Sequence, residues 1–168
     1  VRFFLGQQDR PPLPDEVFLP VPDDYESLPE KVRAVSQWAL QGNCDVLLKL
    51  DDDVVLFPIR TIIPQADYVG WRQEPFSDNY CSGLAYWLSR NAMESIAAGS
   101  IPAQPRPFLG EDRWTGLTLR NAGIPATSFP PDSFYWVGRT RPYTLDRQRF
   151  RHAYLAGEFT PEEMATFY

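Results

Sequence analysis

Asp45-Val46-Leu47-Leu48-Lys49-Leu50-Asp51-Asp52-Asp53 is the stretch on which the reading of this chain turns. Val46 to Leu50 is apolar except at Lys49, the pattern of a central strand covered on both faces. Three adjacent carboxylates follow at once, and residues 54–57 close the segment before Pro58. Upstream, Leu28, Val32, Val35, Trp38 and Ala39 recur at helical spacing. Ser27 and Glu30 form a capping-box pattern ahead of them, and Gly42 ends the run. That helix is expected to pack by its Trp38 side. Shorter strands are read at residues 1–5 and 17–19. Strand, helix and buried strand in this order indicate an α/β sheet, whose ligands gather beyond the carboxyl ends of the strands. The three aspartates stand at such an end.

Farther along, residues 67–71 and 83–88 read as strands. Ser89 caps a helix over residues 90–98 that Gly99 terminates. A proline-rich stretch, residues 102–107, leads to Phe108-Leu109-Gly110-Glu111-Asp112. The helix after it carries Trp114, Leu117 and Leu119, runs to about Asn121 and stops at Gly123, with Pro125 just beyond. The pattern weakens after Pro131, and Thr160-Pro161-Glu162-Glu163 signals a last helix. With no repeat, low-complexity tract or linker, residues 1–168 read as a single domain.

The whole composition agrees: 168 residues, 43% apolar and 23% charged, suit one core-burying domain. Twenty-two acidic residues against sixteen basic ones leave a net charge of −6, so no global footprint for nucleic acid or anionic membrane is present. An anionic ligand must be met locally, by Arg or by a metal. The basic set contains two lysines, Lys31 and Lys49, and the 17 prolines point to many irregular connections. Cys44 and Cys81 are too few for a disulfide framework or a zinc site. No apolar run is long enough to span a bilayer, and the first residues are too short for a signal sequence. The expected location is the cytoplasm, with membrane association through an Arg-rich stretch. The alternative is the Golgi lumen if an upstream anchor has been removed, and the chain's opening at Val1 on a strand-like run leads us to expect further residues upstream.

Three neighbouring carboxylates repel one another, and Lys49 alone in the preceding strand offsets them; a divalent cation resolves the repulsion. Carboxylate oxygens suit Mg²⁺ or Mn²⁺, and Asp-x-Asp spacing lets Asp51 and Asp53 approach one cation or its phosphate ligand while Asp52 faces elsewhere. The other reading is an acidic turn whose aspartates cap backbone N–H groups. Glu111 and Asp112 stand at a helix N-terminus, where the macrodipole favours negative charge. They either cap the helix or supply a general base, with Gly110 letting a substrate approach.

The run Asp23-Asp24-Tyr25-Glu26-Ser27-Leu28-Pro29-Glu30-Lys31 resembles the Asp-x-Tyr-x-Asn-Leu-x-x-Lys segment of the beta-1,3-galactosyltransferase and Fringe-like glycosyltransferase family, with Ser27 in place of Asn. A Trp-bearing helix and Cys44 follow, then Lys49 to Asp53 in the place of a Lys-x-Asp-Asp-Asp motif. Tyr68-Val69-Gly70, Tyr80-Cys81-Ser82-Gly83 and Glu111-Asp112 with Gly116, Leu119, Arg120 and Gly123-Ile124 look like its later blocks in the same order. The resemblance covers about residues 1–125 and leaves 132–168 unmatched.

It implies a GT-A-like (Rossmann-like) α/β fold, a mixed sheet flanked by helices and lacking the family's first strand. It also implies inverting transfer of a hexose from a UDP-sugar to a hydroxyl of a glycan or lipid-linked acceptor, as a beta-1,3 linkage, with Mn²⁺ or Mg²⁺. Asp53 would be the principal metal ligand, with Asp51 on the nucleotide or the metal's hydration shell and His152 as the third ligand. Lys49 and Asp52 would stand on the nucleotide side, and Ser82 and Gly83 would line the sugar pocket, where an absent side chain leaves room for the ring. Asp112 would be the catalytic base, with Glu111 positioning it or holding the acceptor.

Two other readings compete. Residues 48–55 also look like the nucleophile motif of haloacid-dehalogenase-type phosphatases, which usually need a later Lys; none follows Lys49. A catalytically weak sugar- or nucleotide-binding domain is the non-enzyme alternative, with Phe134, Tyr135 and Trp136 available to stack on sugars. Arg139, Arg141, Arg147, Arg149 and Arg151 form a basic stretch suited to a diphosphate or an anionic membrane, or simply to a solvated face.

Overall fold

The computed structural model describes residues 1–52, 54–56, 63–72, 79–101, 110–129, 134–136 and 155–157. The chain is a mixed α/β protein. Strand β1 (Phe3–Leu5) pairs in parallel with β2 (Glu16–Phe18) as a small separate sheet. Helix α1 (Leu28–Gln41) leads into β3 (Val46–Leu50) and the short β4 (Val55–Leu56). Strands β5 (Tyr68–Arg72) and β6 (Cys81–Ser89) precede helices α2 (Arg90–Ala98) and α3 (Glu111–Asn121). Strand β7 (Thr127–Ser128) completes the main sheet, ordered β3-β6-β5-β7, in which β6 runs antiparallel to both neighbours and β7 is parallel to β5. Strands β8 (Phe134–Trp136) and β9 (Leu155–Gly157) form a third sheet with β4. The weakly patterned C-terminal part thus returns to pair with the residues just beyond the Asp triplet.

Three of the local expectations need correction. Among the described strands β3 lies at the edge of its sheet, and β6 and β5 lie inside it. The apolar run misled because β3 still serves both faces: Leu47 packs against the main core and Leu50 against the cluster on the opposite face. An edge strand with that task reads like a central one. The Ser27–Glu30 capping box does not form. Ser27 has φ −88° and ψ 2°, not the extended backbone of an N-cap, and its side chain makes no cap bond. Asp24 Oδ1 instead accepts the Ser27 N–H at 2.8 Å, holding the turn that leads into the helix. Trp38 does not face the core either: α1 buries Val32, Ser36 and Ala39, while Trp38, 36% exposed, stands edge-on to Phe4 with ring centroids 5.1 Å apart. The Trp therefore docks the β1–β2 sheet onto the helix rather than the helix onto the main sheet.

The Ser89 cap does form, its hydroxyl accepting the Ala92 N–H at 3.2 Å, and Gly123 takes the left-handed φ of +80° that stops α3. The main core joins Val32 and Ala39 of α1, Met93 and Ile96 of α2, and Trp114 and Leu119 of α3 to Tyr68, Tyr86 and Leu88 of the sheet. All three helices thus share one cluster with the sheet, and each fully buried Leu or Ile in it contributes about 2 kcal/mol through removal from water. Gly70 has a specific part: a Cβ there would stand 2.9 Å from Tyr86 Cβ and 2.7 Å from Cys81 Cβ, so its absence lets β5 close on β6. The helix expected from Thr160 lies outside the described residues.

Candidate functional site

The β3–β6 register pairs Lys49 with Tyr86. Directly paired residues share a face, and Leu47, two positions before Lys49, packs into the helix-side core. Lys49 therefore points to the helix face at the carboxyl end of β3, where α3 begins. Its ammonium stands 5.7 Å from the centre of the Tyr86 ring. It donates to Asp51 Oδ1 and to the carbonyl of Gly83, thirty-four positions away. Glu111 Oε2 lies 3.6 Å from the same nitrogen.

Glu111 is buried, its side chain 6% exposed, in the first turn of α3. The Tyr86 hydroxyl donates to its Oε1, as does that of Thr115 at 3.3 Å. Tyr86 packs edge-on to Tyr68, centroids 5.6 Å apart, and the Tyr68 hydroxyl accepts the Cys81 N–H at 2.9 Å. A line of contacts, two hydrogen-bonded ends joined by a ring pair, thus runs from the middle of the sheet to the start of α3. Gly83 is where the line meets the Asp turn: a Cβ on it would stand 3.1 Å from Glu111 Oε2, 3.6 Å from Asp112 Cβ and 3.8 Å from Lys49 Nζ. The space left by its missing side chain is bordered by these groups. Ser82, next to it in β6, is buried, and both residues lie within the strand.

Burial, the largest influence on Glu111, pushes its carboxyl up; Lys49 and the Tyr86 hydroxyl pull it down, while Asp112 and Asp51 add to the rise. For Lys49 burial favours the neutral amine, but Glu111, Asp51 and Asp112 together outweigh it and hold the ammonium above its ordinary value. Burial likewise lifts the Tyr86 and Tyr68 phenols well above the ordinary value and the Cys81 thiol to about 12. Cys44 and Cys81 are both free thiols, and Cys81 is inert by this measure.

Asp51 is partly exposed; its N–H donates to Leu84 O at 2.9 Å, and its carbonyl accepts the Val54 N–H at 3.3 Å, closing a turn over residues 51–54. Asp52, within that turn, is exposed. Asp112 is half-buried, and its Oδ1 accepts the Arg113 N–H at 2.7 Å. A Cβ on Gly110 would stand 3.0 Å from that same oxygen and 4.0 Å from the Tyr25 hydroxyl, so Tyr25, 74% exposed, reaches the start of α3. Of the residues singled out in the sequence, Lys49, Asp51, Gly83, Glu111 and Asp112 come together. Asp53, His152 and the arginines from 139 to 151 lie outside the described residues, as do the side chains of Phe134, Tyr135 and Trp136. Tyr86 and Thr115 were not singled out. Thr115 is four positions after Glu111, one helical turn on, and that spacing was the available signal; nothing local marks Tyr86, whose role depends on register.

Among the described residues no three His, Cys, Asp or Glu side chains are grouped to hold one metal ion, and no helix is long and apolar enough to cross a membrane. Asp51 nevertheless suits a hard cation by its donor chemistry, because it is a carboxylate whose side chain stays 41% exposed beside its Lys49 pair. No protein-family profile matches this sequence, and no curated protein matches it.

Proposed function

We propose that this chain is a metal-dependent inverting glycosyltransferase of GT-A type that moves a hexose from a UDP-sugar to a hydroxyl of a glycan acceptor, with the beta-1,3 linkage that its resemblance to the Fringe-like family implies. The observation that carries the reading is the convergence of Lys49, Asp51, Gly83, Glu111 and Asp112 from three distant blocks at the carboxyl end of β3 and the first turn of α3. In α/β proteins that is where ligands bind.

Asp112 is the proposed base. Its carboxylate is partly exposed and steadied by the Arg113 N–H, whereas Glu111 is enclosed by Tyr86, Thr115 and Lys49 and serves to hold the helix start. As the acceptor oxygen forms its bond to the anomeric carbon, its proton passes to Asp112; the bond from that carbon to the diphosphate oxygen breaks, and its electron pair leaves with UDP. A cation held by Asp53 and Asp51, with His152 as the third expected ligand, would supply Lewis-acid stabilisation of the diphosphate charge.

A UDP-sugar turnover screen with Mn²⁺ tests this. Wild type is expected to turn over at least one UDP-hexose, Asp53→Ala to lose the metal dependence, and Asp112→Asn to fall by about 10²–10⁴ in kcat. Full activity in Asp53→Ala would remove the metal argument. Manganese-dependent stabilisation by UDP without any turnover would favour the weak or inactive binding domain, to which the engagement of Asp51 by Lys49 already lends support.

A further inference from the structure

We infer that Lys49 is a positioning residue that couples the Asp51 turn to the first turn of α3, rather than a ligand for a donor substrate. An ammonium has three N–H donors and no acceptor. At Lys49 three acceptors surround it within the protein: Asp51 Oδ1, the Gly83 carbonyl and Glu111 Oε2. The side chain is 18% exposed, and the Tyr86 ring covers one flank. Two hydrogen bonds and one ion pair, at 3.6 Å to Glu111, thus hold the ammonium between protein groups. The three acceptors belong to three separate segments, so one cation sets the spacing between Asp51, proposed to face the nucleotide, and Glu111, the chain neighbour of the proposed base Asp112. Glu111 relays the constraint, because its other oxygen is held by Tyr86 and Thr115. Gly83 makes the arrangement possible, since a side chain there would crowd the Glu111 oxygen.

This inference deepens the proposed function, and its test has an arm that does not need activity. In that arm, residue-resolved hydrogen exchange is measured on the full chain. Glu111→Gln is expected to speed exchange of the Asp51 amide, which is bonded to Leu84 O, about tenfold, although the structure shows no bond between Glu111 and Asp51. Amides within α2 serve as the reference for global loss of stability. Tyr86→Phe, which removes one hydroxyl, is the second variant should Glu111→Gln fold poorly. A change confined to residues 110–115 in both variants would overturn the coupling.

The second arm is kinetic. Lys49→Met is expected to change donor KM and kcat together, and Tyr86→Phe to lower kcat about tenfold with donor KM unchanged. A raised donor KM with unchanged kcat in Lys49→Met would make Lys49 a substrate ligand and overturn the assignment. Absence of turnover in wild type would count against the transferase reading, while the exchange measurement would still decide the coupling.

Discussion

Glu16 in the β1–β2 sheet and Glu111 at the start of α3 each stand beside one cation, yet their carboxyls move in opposite directions. Glu16 receives two bonds from Arg10, at 2.6 and 2.7 Å, and the Leu13 N–H at 2.8 Å. Chiefly through the Arg10 bonds its carboxyl is pushed down to about 2 from an ordinary 4.5. Glu111 has Lys49 at 3.6 Å and two hydroxyl donors, but burial raises it. Partner count is similar in the two regions, so it does not decide the sign. Partner distance set against desolvation does: Arg10 meets Glu16 at 2.6 and 2.7 Å, whereas Glu111, with Lys49 3.6 Å away, gives up water that its partners replace incompletely. Bonding of the outer kind fastens the β1–β2 connection onto β2; the inner kind sets where a small number of charges stand.

The largest expected effect comes from removing the inner cation. Lys49→Met leaves Glu111 without its counter-charge and should cost about 3 kcal/mol in urea unfolding. Lys31, the other lysine, bonds Asp23 in a shallower setting, and Lys31→Met should cost less than about 1 kcal/mol. Equal losses would erase the distinction between the two kinds of pair. Gly83→Ala comes next, at about 1–2 kcal/mol, because the new methyl meets Glu111 Oε2 at 3.1 Å; an unchanged urea midpoint would mean that the inner pair is loosely held.

The smallest effects are the pH slopes, and they should differ in sign. The contribution of Glu16 is present above 4.5 and is lost as pH falls through about 2, since its folded value is the lower one. Glu16→Gln should remove that acid loss. Glu111 binds its proton more tightly folded than unfolded, so its contribution is fully present below 4.5 and is lost as pH rises through its folded value. Glu111→Gln should remove that decline. Thermal melts from pH 2 to 7 read both limbs, and slopes of one sign would sink the comparison.

Much of the outline was legible. The starts of α2 and α3, the end of α3 at Gly123 and the run from Val46 to Leu50 rest on neighbours in the chain, and they stand in the structure where the sequence puts them. In the expected Ser27–Glu30 capping box Glu30 would accept the Ser27 N–H, and in the structure Asp24, three residues earlier, accepts it instead. Trp38 misled because periodicity identifies an apolar stripe without saying which sheet covers it. At the site, carboxylates following a strand and preceding a helix drew attention to Asp51, Glu111 and Asp112. Tyr86 drew none, being one ring in an apolar strand.

By itself, then, the sequence determined the three described helices, the strands as far as β6 and the placing of charge at their ends, because capping, periodicity and strand punctuation act over a few residues. Only the tertiary structure decided that β6 rather than β3 lies inside the described sheet, that Lys49 faces Glu111 across Gly83, and that one glutamate is raised while another is lowered. Those outcomes depend on strand register and depth of burial, which arise only when distant segments pack together.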